Sequence, residues 1–239
     1  MNVVALAIIA CAVSPVTKAA ADARFVTFTV GGSATEPTDI NAKSVVTGMF
    51  SSFAPTGFVR KLNGKIKTFS APGDVGGTFP SSINKKRAIT GWYVAQGKGR
   101  KLKKGFLRDS DGTFATFGID GANVYPRFIA ADGTIIGMYT KGARTEAGFV
   151  RSTDGTITTF SCPDGYTTVS SGNDSGAATG VCSDGAFIRT LDGTFTFFGT
   201  VAPSSINQAG RGDRNHWEFG NAGFCAYTGW HDHRICARR

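Results

Sequence analysis

Eight cations crowd one stretch of this 239-residue chain: Lys85, Lys86, Arg87, Lys98, Arg100, Lys101, Lys103 and Lys104, with no acidic residue between positions 85 and 104. The formal charge of the whole chain is +9, so this stretch holds nearly the entire imbalance. Dense positive charge attracts anionic polymers such as acidic polysaccharide, lipid head groups or nucleic acid. The plainer outcome for the same residues is a solvated loop that aids solubility. A second set is periodic: Arg60, Arg108, Arg151 and Arg189 each close a Phe-x-Arg phrase. These could ring an anion, or extend over a neighbouring aromatic and pair with a turn carboxylate.

Other chemistry is thinner. Asp109-Ser-Asp111-Gly112 resembles the start of a calcium loop, where alternate carboxylates wrap a hard cation. The matching turns end in Asn63-Gly64, Asp154-Gly155 and Asp192-Gly193 and share only that final pair, which is what a hairpin needs. Cys225, His231, His233 and Cys236 offer nitrogen and sulfur ligands, but their spacing matches no zinc motif. No metal and no cofactor are therefore expected. A Ser-His-Asp arrangement would have to draw on His216, His231 or His233, all near the C-terminus. A carboxylate pair about 5–10 Å apart would serve glycoside hydrolysis, with Asp120, Asp132, Asp164, Asp174 and Asp184 as the candidates.

These residues sit in a repeat. Gly57-Phe-Val-Arg60 recurs as Gly105-Phe-Leu-Arg108, Gly148-Phe-Val-Arg151 and Ala186-Phe-Ile-Arg189. The Phe falls at 58, 106, 149 and 187, giving spacings of 48, 43 and 38 residues. Each copy is followed by Asn-Gly or Asp-Gly and a run such as Thr156-Ile-Thr-Thr-Phe160. Ser82-Ile-Asn84 leads to Ile89-Thr-Gly-Trp-Tyr93, with counterparts at Asp39-Ile-Asn41, Ala131-Asp-Gly133 and Asn173-Asp-Ser-Gly176. Short β-prone runs around Asp-Gly predict tight hairpins with both central residues at positive φ. Three or four antiparallel strands in about 40 residues make a propeller blade. Within the longest repeat, residues 98–104 are expected to form an extended loop, since Gly97, Gly99 and Gly105 loosen it and its cations repel.

The composition agrees with an all-β class: Gly is abundant at 32 residues, Phe stands at 19, and charged residues are only 18%. Residues 24–30, reading Arg-Phe-Val-Thr-Phe-Thr-Val, resemble the last strand of a unit, and residues 204–210 open one. Joined, the two ends would complete a β-propeller of about five blades over residues 24–210. The repeat then stops, and residues 211–239 read as a divergent tail. Residues 3–16 are almost wholly apolar and precede the small residues Ala19, Ala20, Ala21 and Ala23, so residues 1–23 read as a signal peptide. The segment is too short for a stable membrane anchor, and no other stretch is apolar enough to cross a bilayer. Removal of Cys11 would leave Cys162, Cys182, Cys225 and Cys236, which allow three disulfide pairings or can stay buried free thiols.

The phrases Gly-Phe-x-Arg, Asp-Gly-Thr and Ser-Ile-Asn followed by Thr-Gly-x-Tyr resemble the HAF-repeat family of extracellular bacterial proteins. Where that family has His-Ala-Phe, this chain has Gly-Phe or Ala186-Phe187. The resemblance implies a propeller and an extracytoplasmic location, at the cell surface, in a periplasm or outside the cell, and brings no catalytic residues. The reading that follows is a secreted, non-catalytic propeller that binds a ligand or partner. Its site would be the cationic stretch, and an anionic polysaccharide or other polyanion its ligand. A protein partner also fits, whereas nucleic acid does not suit an exported chain. The alternative is a secreted carbohydrate-active enzyme of glycoside hydrolase type, using propeller-face carboxylates.

Overall fold

The computed structural model describes residues 26–142, 145–163, 165–199 and 202–207, and the backbone alone at 225–226 and 235–236. Its strands fall into four four-stranded antiparallel sheets, each in sequence order. The first holds β1 (Thr35–Ile40), β2 (Val46–Phe50), β3 (Thr56–Arg60) and β4 (Ile66–Phe69). The second holds β5 (Asp74–Ile83), β6 (Ile89–Gln96), β7 (Lys101–Arg108) and β8 (Phe114–Phe117). The third holds β9 (Asn123–Ile129), β10 (Ile135–Lys141), β11 (Thr145–Arg151) and β12 (Ile157–Phe160). The fourth holds β13 (Thr168–Gly172), β14 (Ala178–Cys182), β15 (Gly185–Arg189) and β16 (Phe195–Phe198). These are the blades of a β-propeller, and each Gly-Phe-x-Arg phrase lies in the third strand of its blade. A two-residue ladder, β17 (Cys225–Ala226) with β18 (Ile235–Cys236), stands apart from them.

The repeated glycines are explained by what lies opposite. Gly48, Gly91, Gly137 and Gly180 in the second strands pair across the ladder with Phe58, Phe106, Phe149 and Phe187. A Cβ on Gly91 would stand 2.7 Å from the Pro80 Cα and 2.9 Å from the Phe106 ring. The ring thus covers a bare backbone, and all four of these Phe side chains are fully buried. The preceding Thr is used too: Thr47, Thr90 and Thr179 donate their buried hydroxyls to the carbonyls of Phe58, Phe106 and Phe187 at 3.0, 2.9 and 2.7 Å. Each first strand carries a bulge beside that glycine, at Pro37/Asp39, Pro80/Ser82, Ile136/Gly137 and Val169/Ser171 in the respective registers. The extra residue increases local twist.

The core lies between blades rather than within them. Phe69, Ile83, Ile89, Tyr93 and Phe106 fill the first interface. Phe117, Val124, Ile129, Ile135 and Phe149 fill the second, and Ile136, Met138, Val169, Ala178 and Phe187 the third. Polar staples join the same interfaces. The Asn41 amide donates to the Asn84 carbonyl, and the Asn84 amide to the Ala130 carbonyl, both at 2.9 Å. Asn173 donates to the Asn207 carbonyl at 2.8 Å, so the Ser-Ile-Asn phrase at 205–207 occupies the place of a next blade's first turn. Cys162, before β13, is disulfide-bonded to Cys182 at the end of β14.

Two expectations change. The third-to-fourth strand hairpins have positive φ only at Gly64, Gly112, Gly155 and Gly193, not at the preceding Asn or Asp. The loop is longer than two residues, as the Gly64 N–H to Lys61 C=O and Lys61 N–H to Lys65 C=O bonds show, so one left-handed residue closes it. Residues 98–104 are not a loop. Lys101, Leu102, Lys103 and Lys104 pair with Gln96, Ala95, Val94 and Tyr93, and only residues 97–100 turn. Backbone pairing and the β-branched and aromatic partners outweigh the repulsion among exposed cations, which water screens. The expected signal segment, residues 24–25 and, apart from β17 and β18, the tail from 208 onward lie outside the described residues, as does any ladder closing the ring through them. Of the proposed closing strand, Val26 to Val30 is described, and its one bridge is Val30 to Ser33.

Candidate binding site

Antiparallel order places the first-to-second and third-to-fourth turns of every blade at one end, here the turn end, and the remaining loops at the other. The cationic stretch is divided by this rule. Lys85, Lys86 and Arg87 lie in the β5–β6 turn, whereas Lys98, Arg100 and Lys101 lie at the far end of the eight-residue strand β6, and Lys103 and Lys104 pair with Val94 and Tyr93 partway along it. At about 3.3 Å per residue, β6 separates the turn from Lys98, Arg100 and Lys101 by roughly 25 Å. They form two surfaces, not one.

At the turn end, an open, shallow depression is lined by Lys43, Val45, Lys61, Leu62, Asn63 and Arg87. Three cations from three turns of two blades face it, and no carboxylate lines it. The turns are rigid. The Asn41 Oδ1 accepts the N–H groups of Lys43 and Val45 at 2.9 and 3.1 Å. The Asn84 Oδ1 accepts those of Lys86 and Ala88 at 2.9 and 3.0 Å. Arg87 has φ of 70°, a conformation that the equivalent Gly133 and Gly176 adopt without a Cβ. An arginine there carries a backbone cost of about 1 kcal/mol or more. Lys43 and Lys61 escaped sequence reasoning because each is isolated in its own turn. The repeat phase could have found them, since it sets which turns share an end.

The five cations of the β6–β7 hairpin have unequal roles. The Lys103 ammonium lies 4.4 Å from the Trp92 ring centroid and 4.8 Å from that of Tyr125. Trp92 in turn stacks on Phe79 with centroids 3.8 Å apart. Lys103 therefore serves the contact between the second and third blades. Lys104 is half-buried, while Lys98, Arg100 and Lys101 are exposed.

The four periodic arginines do not converge on an anion. Their guanidinium carbons lie over the last aromatic of the preceding unit: Arg60 over Phe28 at 4.8 Å, Arg108 over Phe69 at 4.8 Å, Arg151 over Phe117 at 5.1 Å and Arg189 over Phe160 at 4.5 Å. Burial lowers the pKa of Arg108 and Arg189, partly offset by Asp111 and Asp192. Each is a latch between blades.

The turn carboxylates are likewise occupied. Asp111 and Asp154 accept the backbone N–H groups of Thr113 and Thr156, both at 2.9 Å, and then their hydroxyls. Asp192 accepts the Thr190 hydroxyl and the Thr194 N–H. These bonds hold all three carboxyls below their ordinary value. They therefore support the folded hairpins above the ordinary carboxylate range, near pH 4. That support disappears as pH falls through the lower folded values. An NMR acid titration should show the Thr113, Thr156 and Thr194 amides responding below the midpoint of a free aspartate. Midpoints at or above it would contradict these bonds. Of the candidate hydrolytic acids, Asp132 and Asp174 sit in turn-end loops, and Asp120 and Asp184 at the opposite end. Asp132 accepts the Thr134 N–H at 2.8 Å, and Asp174 the Ala131 N–H at 2.7 Å. Asp164 lies outside the described residues. Among the described residues no cluster of His, Cys, Asp and Glu could hold a metal.

No family model and no curated protein matches the chain. Among solved structures, a streptogramin B lyase is similar at TM-score 0.37 and 16% identity, covering 74% of this chain and 73% of its own. Virginiamycin B lyase from Staphylococcus aureus is similar at TM-score 0.36 and 17% identity, covering 70% and 71%. A candidate gluconolactonase is similar at TM-score 0.43 and 16% identity, covering 71% and 64%.

Proposed function

We propose that this chain is a non-catalytic propeller binding module of the HAF-repeat type that acts outside the cytoplasm and takes an acidic polysaccharide at its turn end. The observation that carries this reading is the convergence of Lys43, Lys61 and Arg87 on one open surface, which no carboxylate lines among the described residues. Lys85 and Lys86 extend the positive surface beside it. The depression is open, so a polymer would lie across it and the neighbouring turns with its acidic groups facing these cations. The disulfide between Cys162 and Cys182 supports an oxidising compartment, as does the apolar segment at residues 3–16.

Binding to a polyuronate or a sulfated polysaccharide should weaken steeply with added salt, because exposed charges are screened beyond about 10 Å at 0.1 M. Replacing Lys43, Lys61 and Arg87 together with Gln should lower affinity at least about tenfold at low salt. The melting temperature should stay nearly constant, since exposed substitutions change stability little. Salt-insensitive binding, or full affinity in the triple variant, would reduce these cations to a solvated surface.

A further inference from the structure

The end of the blades opposite the depression carries a surface of different composition. Phe53, in the loop between β2 and β3, is fully exposed, and Val75 at the start of β5 is 45% exposed. Hydrogen bonds join their segments at this end of the blades. The Pro55 carbonyl accepts the Thr78 N–H at 2.8 Å, which ties the Phe53 loop to β5. The Lys101 ammonium donates to the Val75 carbonyl at 3.3 Å, which ties the β6–β7 hairpin to the same strand. Arg100 donates to the Gly121 carbonyl at 2.7 Å, bracing the hairpin tip against the third blade. Lys98, Arg100 and Lys101 are all exposed there. Two acids are near. Asp74 is turned inward, accepting the Gly76 and Gly77 N–H groups and the Thr78 hydroxyl at 2.9, 2.6 and 2.9 Å. Asp120 is exposed beside Gly121 and leaves the region net positive.

We infer that this end seats on an anionic lipid surface. Phe53 and Val75 enter the boundary between head groups and acyl chains, and Lys98, Arg100 and Lys101 face the phosphates and carboxylates above them. A soluble polyanion would satisfy the cations and could stack a sugar face on the phenyl ring, but it gives no hydrocarbon layer in which to bury Phe53 and Val75 together. A lipid interface supplies both, with hydrocarbon beneath negative charge. The braced hairpin and tied loop need little further ordering on contact, which favours association. This surface does not depend on the polysaccharide reading, whose residues lie at the other end of the blades.

The test is sedimentation of the chain with vesicles of phosphatidylcholine containing about a third phosphatidylserine, against phosphatidylcholine alone. Binding to the anionic vesicles alone is expected, weakening about fivefold for each of Lys98→Gln, Arg100→Gln and Lys101→Gln. Phe53→Ser should weaken it about tenfold while the thermal unfolding curve stays that of the parent chain, because an exposed loop position contributes little to stability. In Phe53→Trp, nitroxide-labelled acyl chains should quench fluorescence beyond the level seen in the parent chain. Lys43→Gln should bind vesicles unchanged. Failure to bind the anionic vesicles, equal binding by Phe53→Ser, or no added quenching in Phe53→Trp would overturn the inference. Retained binding to soluble polysaccharide in that case would leave the turn-end site standing alone.

Discussion

Phe106→Ala is expected to lower the free energy of unfolding by about 3–5 kcal/mol, the usual cost of emptying a fully buried phenyl site. The Phe106 ring covers Gly91, approaches Phe69 edge-on at 6.2 Å and lies 5.9 Å from Phe114. Truncation would therefore open both the centre of the second blade and its interface with the first. A fall in the urea midpoint with unchanged m-value is the expected reading. Phe114→Ala, at a half-buried position in β8, should cost clearly less. A loss under about 1.5 kcal/mol for Phe106→Ala would contradict the packing described, as domains of ordinary stability hold only about 5–15 kcal/mol in total.

Loss of the Cys162–Cys182 bond should cost about 3 kcal/mol, from the entropy regained by an unfolded loop closed over a 20-residue separation. The bond fastens the segment entering the fourth blade to that blade's second strand. Cys162 and Cys182 are both buried, at 3% and 2% exposure, so the double Ser variant also places two hydroxyls where the packing is apolar. The Ala pair separates these effects: it keeps the apolar character and loses only the cross-link. Chemical denaturation with and without a thiol reductant is the decisive measurement. Equal stability of the reduced and oxidised chain would show that the bond constrains nothing.

Much of the blade was legible because its phrases encode contacts directly. Gly-Phe in one strand and Thr-Gly in its neighbour are the two halves of a glycine-covering aromatic pair, so their recurrence implied recurring sheets. The arginines were legible as arms over aromatics, and the repeat phase contained their partners. The bulges beside Gly48, Gly91, Gly137 and Gly180 were not legible, because Thr38, Ser81 and Ser170 are hydroxyl residues of a kind common throughout the chain and Arg127 is not one of them. The cationic stretch misled for a geometric reason. Residues close in sequence across one strand emerge at opposite ends of the blade, while Lys43, Lys61 and Arg87, far apart in sequence, meet at one end. Residues 101–104 looked like a flexible linker by composition. Pairing against Tyr93, Val94 and Ala95, with Lys103 resting on Trp92, makes them strand.

The two kinds of staple point in opposite directions along the chain. The amides of Asn41, Asn84 and Asn173 reach forward to the next unit, whereas Arg108, Arg151 and Arg189 reach back to the previous one. The first two junctions between blades thus carry both fittings, whereas at the third, where Ala130 stands in the asparagine position, Asp174 accepts the Ala131 N–H beside the Arg189 latch. Such fittings let neighbouring units dock through similar contacts at successive junctions. A duplicated blade would find its docking surfaces ready-made, and an excised one would leave matching surfaces behind. The fold can therefore grow or shrink by copying, with stability accumulating neighbour by neighbour. The irregular spacings of 48, 43 and 38 residues show how freely the intervening loops vary while those fittings stay in place.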